Sequence, residues 1–166
     1  MKTPTETRRG FTLMELVVVM AIIVVLAALT VGILITVQTK QNITKTKVQI
    51  ALLENGLADY HFDHRAYPAN ADPEGRQGDE VLHRHLYQGD KIYVAELDPA
   101  HNTKGGEAWI EGGTRIVDPW GQSYRYRSGE NALSVDYDLW SSGPDKKTNK
   151  DPNHAHSVND ISNWRD

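Results

Sequence analysis

The run from Phe11 to Val37 constrains this chain more than any other stretch. It carries one ionisable side chain, Glu15. About 20 consecutive apolar residues suffice for a helix to cross a bilayer core, and a helix satisfies its own backbone polar groups in lipid. Arg8 and Arg9 stand directly before the run, the positive flank that holds the preceding end on the cytoplasmic side. The expectation is a transmembrane helix, with a short polar leader inside the cell and the remainder of the chain outside it. A carboxylate near the start of such a span is costly, so Glu15 implies a partner and a purpose.

From Gln38 the pattern becomes amphipathic. Ile43, Ile50, Leu53, Leu57 and Tyr60 recur at helical spacing, with Lys40, Lys45, Lys47 and Glu54 between them. No proline falls between Phe11 and Tyr67, and the isolated Gly32 and Gly56 cost about 1 kcal/mol each at most. One helix is therefore expected from about residue 12 to about residue 62. Pro68 closes it, because the residue before a proline is pushed toward extended geometry.

Residues 69–78 are rich in Asn, Asp, Pro and Gly and read as loop. A short helix is expected over 79–87, with Val81, Leu82 and Leu86 turned inward. Residues 92–94 suit either a short strand or a loop crossing the long helix, and 98–113 is loop-like. In 122–127, Tyr124 and Tyr126 alternate with polar residues as in a half-buried strand. Residues 128–131 form a turn cluster. Residues 133–140 return with Val135, Tyr137 and Leu139 on one face and Asp136 and Asp138 on the other, which reads as the wet side. The two segments make an antiparallel hairpin.

Composition narrows the function. Hydrophobic residues make up 39 % of the 166 positions, concentrated before position 38, so the remainder can bury a modest core. The formal net charge is −4, and losing residues 1–10 would leave about −6 by the same counting. An acidic domain gives no reason to expect nucleic acid as a partner. There is no cysteine, so another device must hold a loop-rich domain together. The pairs His83/His85 and His154/His156 lack third-ligand spacing and read as surface or tail histidines. No phosphate loop, nucleophile elbow or hydrolytic carboxylate pair is present, and the chain reads as structural rather than enzymatic.

The stretch Gly10-Phe11-Thr12-Leu13-Met14-Glu15, behind a basic leader and ahead of an apolar helix, resembles the processing and assembly signal of type IV pilins and of the pseudopilins of type II secretion. The resemblance implies cleavage between Gly10 and Phe11 by a prepilin peptidase and N-methylation of Phe11. It also implies pairing of Glu15 with the Phe11 amino group of a neighbouring subunit. A twin-arginine signal would end in a small-residue cleavage site, whereas here the run ends in Gln38-Thr39-Lys40-Gln41.

Arg65-Ala66-Tyr67-Pro68, Asp118-Pro119-Trp120-Gly121, residues 137–145 and Asp160-Ile161-Ser162-Asn163-Trp164 are similar to the major pseudopilins. That similarity implies a calcium ion in the carboxy-terminal loop. The ligands would be the Asp145 and Asp160 carboxylates, the Ser142 and Val158 carbonyls, and Ser162, a donor set that suits a hard cation taking 6–8 oxygens. The implied fold is pilin-like α+β: a long amino-terminal helix, its first half transmembrane, packed on a small antiparallel sheet with a loop-rich carboxy-terminal region. The expected divisions are a leader at 1–10, a transmembrane and assembly half-helix at 11–37, and a periplasmic domain at 38–166. The expected role is a subunit of a type II secretion pseudopilus anchored in the bacterial inner membrane. Its expected partners are copies of itself, other pseudopilins, the prepilin peptidase, the inner-membrane assembly platform with its ATPase, and membrane lipid. A pilin or minor pilin for adhesion, motility or DNA uptake shares the architecture, although such proteins often use a disulfide-bounded loop that a cysteine-free chain lacks.

Overall fold

The structure, a computed structural model, describes residues 11–70, 72–100 and 110–165, with the side chains of 29–35 outside the description. Gly10 and Trp109 also lie outside it. Residues 1–39 and 40–166 form two compact units. Helix α1 runs Leu13–His64 over 52 residues and contributes to both.

In the first unit, the large apolar side chains from Phe11 to Leu26 are exposed. Among the described residues, no helix is long and apolar enough to cross a membrane. This overturns the expected transmembrane half-helix. With it go the single-pass inner-membrane placement and the cytoplasmic and periplasmic sides assigned to the two ends.

In the second unit, α1 buries one face. Ile50, Leu53 and Leu57 pack with Leu82, Leu86, Val94, Leu97, Tyr124 and Tyr126 in one core. Gly56 is required by this packing: a Cβ there would run into Val94 Cγ2, so the position that costs helix propensity allows close approach. The Tyr124 hydroxyl donates to Gln49 Oε1 at 2.7 Å and the Tyr126 hydroxyl to the Pro68 carbonyl at 2.8 Å. Helix α1 ends two residues beyond expectation. Arg65 adopts φ 58° and its amide bonds the His61 carbonyl at 2.8 Å, a left-handed closure that satisfies a terminal carbonyl.

Helix α2 spans Gly78–Leu86 and buries Leu82, His83 and Leu86. A Cβ on Gly78 would overlap the Tyr126 backbone, so α2 starts against the sheet. Residues 92–94 form no strand and lead into a 3₁₀ turn, Ala95–Leu97. Strands β1 (Ile110–Glu111) and β2 (Arg115–Ile116) pair antiparallel, β1 in a segment expected as loop. Strands β3 (Arg125–Ser128), β4 (Tyr137–Ser141) and β5 (Ile161–Ser162) form an antiparallel sheet in that order. Arg125 pairs with Trp140, and Trp140 pairs with Ser162 on its other side.

Three expectations are corrected here. Asp138 is fully buried rather than on a wet face, ion-paired to buried Arg127 at 2.6 Å and accepting the Leu133 and Ser134 amides. Burial pushes its carboxyl up, but those amides, the Ser134 hydroxyl and Arg127 outweigh that and hold it below the usual range. The same bonds draw residues 133–134 out of the strand, which leaves Val135 at 98 % exposure instead of inside. His83 is buried at 1 % exposure rather than on the surface, because it lies one position from Leu82 on a helix covered on more than one side.

Candidate functional site

Two sites carry the chemistry, one at each end of the chain. At the first, Phe11 is 89 % exposed and Thr12 caps α1. The Thr12 hydroxyl accepts the Glu15 amide at 3.3 Å, while Glu15 Oε2 accepts the Thr12 amide at 2.9 Å and the Thr12 hydroxyl at 2.8 Å. This reciprocal capping box satisfies amides that a helix start leaves orphaned. The Thr12 amide and then its hydroxyl hold the Glu15 carboxyl below its ordinary range. Glu15 is thus an exposed, ionised cap, with a negative charge where the helix dipole favours one. Thr12, which supplies both bonds, is the residue of this site not singled out from the sequence, although the Thr-x-x-Glu spacing carries the signal.

The second site is the loop between β4 and β5. Asp118, from the Asp-Pro-Trp-Gly turn, is buried. Its Oδ1 accepts the Trp120 and Gln122 amides and its Oδ2 accepts the Ser141 hydroxyl at 2.5 Å. The Ser141 oxygen in turn accepts the Gly143 amide at 3.0 Å. That chain of bonds fixes where the loop leaves the sheet. Gly143 sits at φ +66° against the Asn159 carbonyl, with no room for a Cβ, so the two ends of the loop touch.

Of the five expected ligands, Ser142, Asp160 and Ser162 are buried, whereas Asp145 and Val158 are exposed. Asp160 Oδ2 accepts the Thr148 hydroxyl at 2.7 Å, while Asp160 Oδ1, Ser162 Oγ and the neighbouring Asn159 Oδ1 are buried without a hydrogen-bond partner. Burial, with a smaller contribution from the Asp145 charge, pushes the Asp160 carboxyl up to about 6. Buried oxygens seldom lack partners in a native fold, and three together, two of them on expected ligands, suit a hard cation. Among the described residues, no group of three or more His, Cys, Asp or Glu side chains could hold a metal. A cation held here would therefore take most of its donors from main-chain carbonyls and hydroxyls. Thr148, also hydrogen-bonded by the Trp140 indole at 2.8 Å, was not foreseen. It reaches Asp160 across the loop, and no local spacing signals that contact.

Elsewhere the loop is tied by its own polar groups. Arg127 Nη1 donates to the Pro73 and Lys150 carbonyls, its guanidinium lies 5.1 Å from the Trp140 ring, and Arg165 donates to the Ser157 and Pro152 carbonyls. His154 and His156 are exposed, with the His154 ring accepting the His156 amide.

Comparison with known proteins gives the same two ends. Residues 94–164 match the family model for type II secretion system protein G, and residues 7–31 match the prokaryotic N-terminal methylation motif. The chain is 34 % identical over 162 residues to the type II secretion system core protein G of Escherichia coli K12, covering 96 % of this chain and 93 % of that one. It is 31 % identical over 155 residues to the core protein G of Pseudomonas aeruginosa, covering 93 % and 94 %. The crystal structure of the major pseudopilin from the type 2 secretion system of enterohaemorrhagic E. coli aligns at TM-score 0.43 and 23 % identity, over 79 % of this chain and 89 % of that chain. By this kinship over nearly its whole length, the chain belongs to the type II secretion protein G family, the major pseudopilins, and is a structural subunit of the pseudopilus, not an enzyme.

Proposed function

We propose that this subunit enters the pseudopilus through Phe11 and Glu15, after a prepilin peptidase has cut between Gly10 and Phe11. The Phe11 amino group, N-methylated, would pair with Glu15 of a neighbouring copy. The exposed apolar side chains that follow would pack against other copies. The supporting observation is Glu15 itself, a fully exposed ionised carboxylate at the head of an exposed apolar face. Surrounding that carboxylate with apolar neighbours is costly unless a cation pairs with it, and a charge-assisted bond to an ammonium offsets that cost. The assembly platform with its ATPase is the partner that would add subunits.

Two substitutions separate the capping role of Glu15 from the pairing role. Glu15→Gln keeps an acceptor for the Thr12 amide but removes the charge, and is expected to abolish pseudopilus formation and secretion. Thr12→Ala keeps the charge, loses the cap at about 1 kcal/mol, and is expected to assemble. Wild-type assembly by Glu15→Gln would overturn the pairing.

The carboxy-terminal loop is proposed to hold calcium through Asp145, Asp160, Ser162 and the Ser142 and Val158 carbonyls. The orphaned oxygens of Asp160 and Ser162 support this, and the ion would close a tail that has no disulfide. Calcium is expected to raise the melting temperature of the wild type and not of Asp160→Asn. An equal rise in both would exclude this ligand set.

A further inference from the structure

Helix α2 is docked by two histidines that point in different directions. His83 faces the core at 1 % exposure, its ring 5.3 Å from that of Tyr87. Neither of its ring nitrogens has a hydrogen-bond partner of good geometry, and the Leu97 main chain favours the charged ring by less than burial disfavours it. His85 faces α1: its Nδ1 lies 3.2 Å from the Tyr60 hydroxyl, and its ring meets Tyr60 edge-on. Tyr60 stacks on His64 at 4.2 Å and meets Tyr93 edge-on at 5.4 Å. His64 Nε2 lies 3.1 Å from the Tyr93 hydroxyl. That hydroxyl donates to Asp63 Oδ2 at 3.1 Å, and Lys91 Nζ donates to the same oxygen at 2.6 Å. These side chains, with Asp90, line a cleft of about 390 Å³.

We propose that α2 is a pH-sensitive latch, closed on α1 and on the 95–97 turn while His83 and His85 are neutral and released when they take up protons. The charges around each ring explain why. His85 faces His64 on α1 and has Arg84 beside it on its own helix. The nearest carboxylate in the network, Asp63, is already matched by Lys91, and Asp90 lies at the cleft rim. A proton on His85 adds positive charge beside Arg84. On the His83 side, Tyr87 interacts with Asp98, and Asp79, a turn away, is engaged by Arg115 of β2 at 3.8 Å. Arg125 of β3 also acts on Asp79, and has Asp72 and Glu74 near it as well. A proton on His83 would therefore be a buried cation facing the Leu97 main chain, which offsets less than burial costs.

Burial lowers both groups, and for His85 the Arg84 and His64 charges lower it further. The folded state therefore binds fewer protons than the open one. Stability from this source is complete above the ordinary histidine value of about 6.5 and declines as the pH falls below it.

The test is hydrogen exchange of the full chain at pH 7.5 and 5.5, corrected for intrinsic rates. Opening of the α2 amides, residues 81–87, is expected to rise between the two values by up to about tenfold per histidine. Amides of α1 at residues 50–57 and of β3 and β4 are expected to change far less. His85→Gln, which keeps a polar contact with Tyr60 but cannot charge, is expected to lose its share of the effect, and His83→Leu with His85→Gln to lose all of it. Should His83→Leu fail to fold, NMR titration of the wild-type imidazoles reads the same quantity, with both rings expected to titrate below free histidine. Uniform pH sensitivity across helix and sheet, ordinary titration of both rings, or an unaltered response in the folded double variant would each overturn the latch.

Discussion

Residues 16–28 and residues 46–57 are successive stretches of one helix with opposite fates. The first is almost wholly apolar and lies exposed, Val24 at 67 % and Met20 at 61 %. The second mixes Thr46, Gln49, Glu54 and Asn55 among its apolar residues, yet Leu53 and Leu57 are completely buried and Thr46 with them. Apolarity therefore records a need for a partner and not its presence. The second stretch finds its partner in α2 and the sheet, and in the pseudopilus the first would find it in other copies of the chain. Burying a Leu, Val or Ile side chain is worth about 1.5–3 kcal/mol, so the nine such residues of 16–28 represent a large reserve for assembly.

Substitutions that act on one stretch and not the other test this contrast. The largest effect is expected from Val24→Asp, which places a charge on the face reserved for other copies. Assembly should be lost, while the unfolding free energy of the domain, read from a urea curve, should stay within about 0.5 kcal/mol of wild type. Leu53→Ala is the converse and should destabilise the domain by about 3 kcal/mol, read from the same unfolding curve. A comparable loss from Val24→Asp would break the contrast.

Arg127→Met should cost about 3–5 kcal/mol, because it strands Asp138 as a buried charge and releases the Lys150 carbonyl. Proteolysis should then open residues 146–159 before the hairpin. The smallest effect is expected at Gly56→Ala: a gain of ~1 kcal/mol in helix propensity against overpacking on Val94, for a net loss of about 1–2 kcal/mol.

Periodicity was enough to locate α1, α2 and the β3–β4 hairpin, because each is punctuated by Pro68, the Asn/Asp/Gly loops or the 128–131 turn. It could not reveal β5. That strand is two residues long and exists because Trp140 and Ser141 offer an open edge, with the Asn163 side chain accepting the Leu139 amide and its own amide bonding the Leu139 carbonyl. Alternation placed Asp138 on a wet face because it cannot foresee that Arg127 will pair with it and that a downstream loop will meet Arg127 through the Lys150 carbonyl. At the calcium candidate, resemblance supplied the ligands, whereas Thr148 is a contact of the folded loop alone. At the amino end the motif supplied Phe11 and Glu15, and the structure added the cap that holds Glu15 while no neighbour does.

The account is tested most directly by photo-cross-linking of assembled pseudopili carrying benzoyl-phenylalanine at Leu16, Met20 or Val24, with Val135 as an exposed control on the domain. Subunit-to-subunit adducts at all three helix positions, far in excess of those at Val135, are the predicted result. Assembled filaments in which those positions give no adduct with another copy would contradict it.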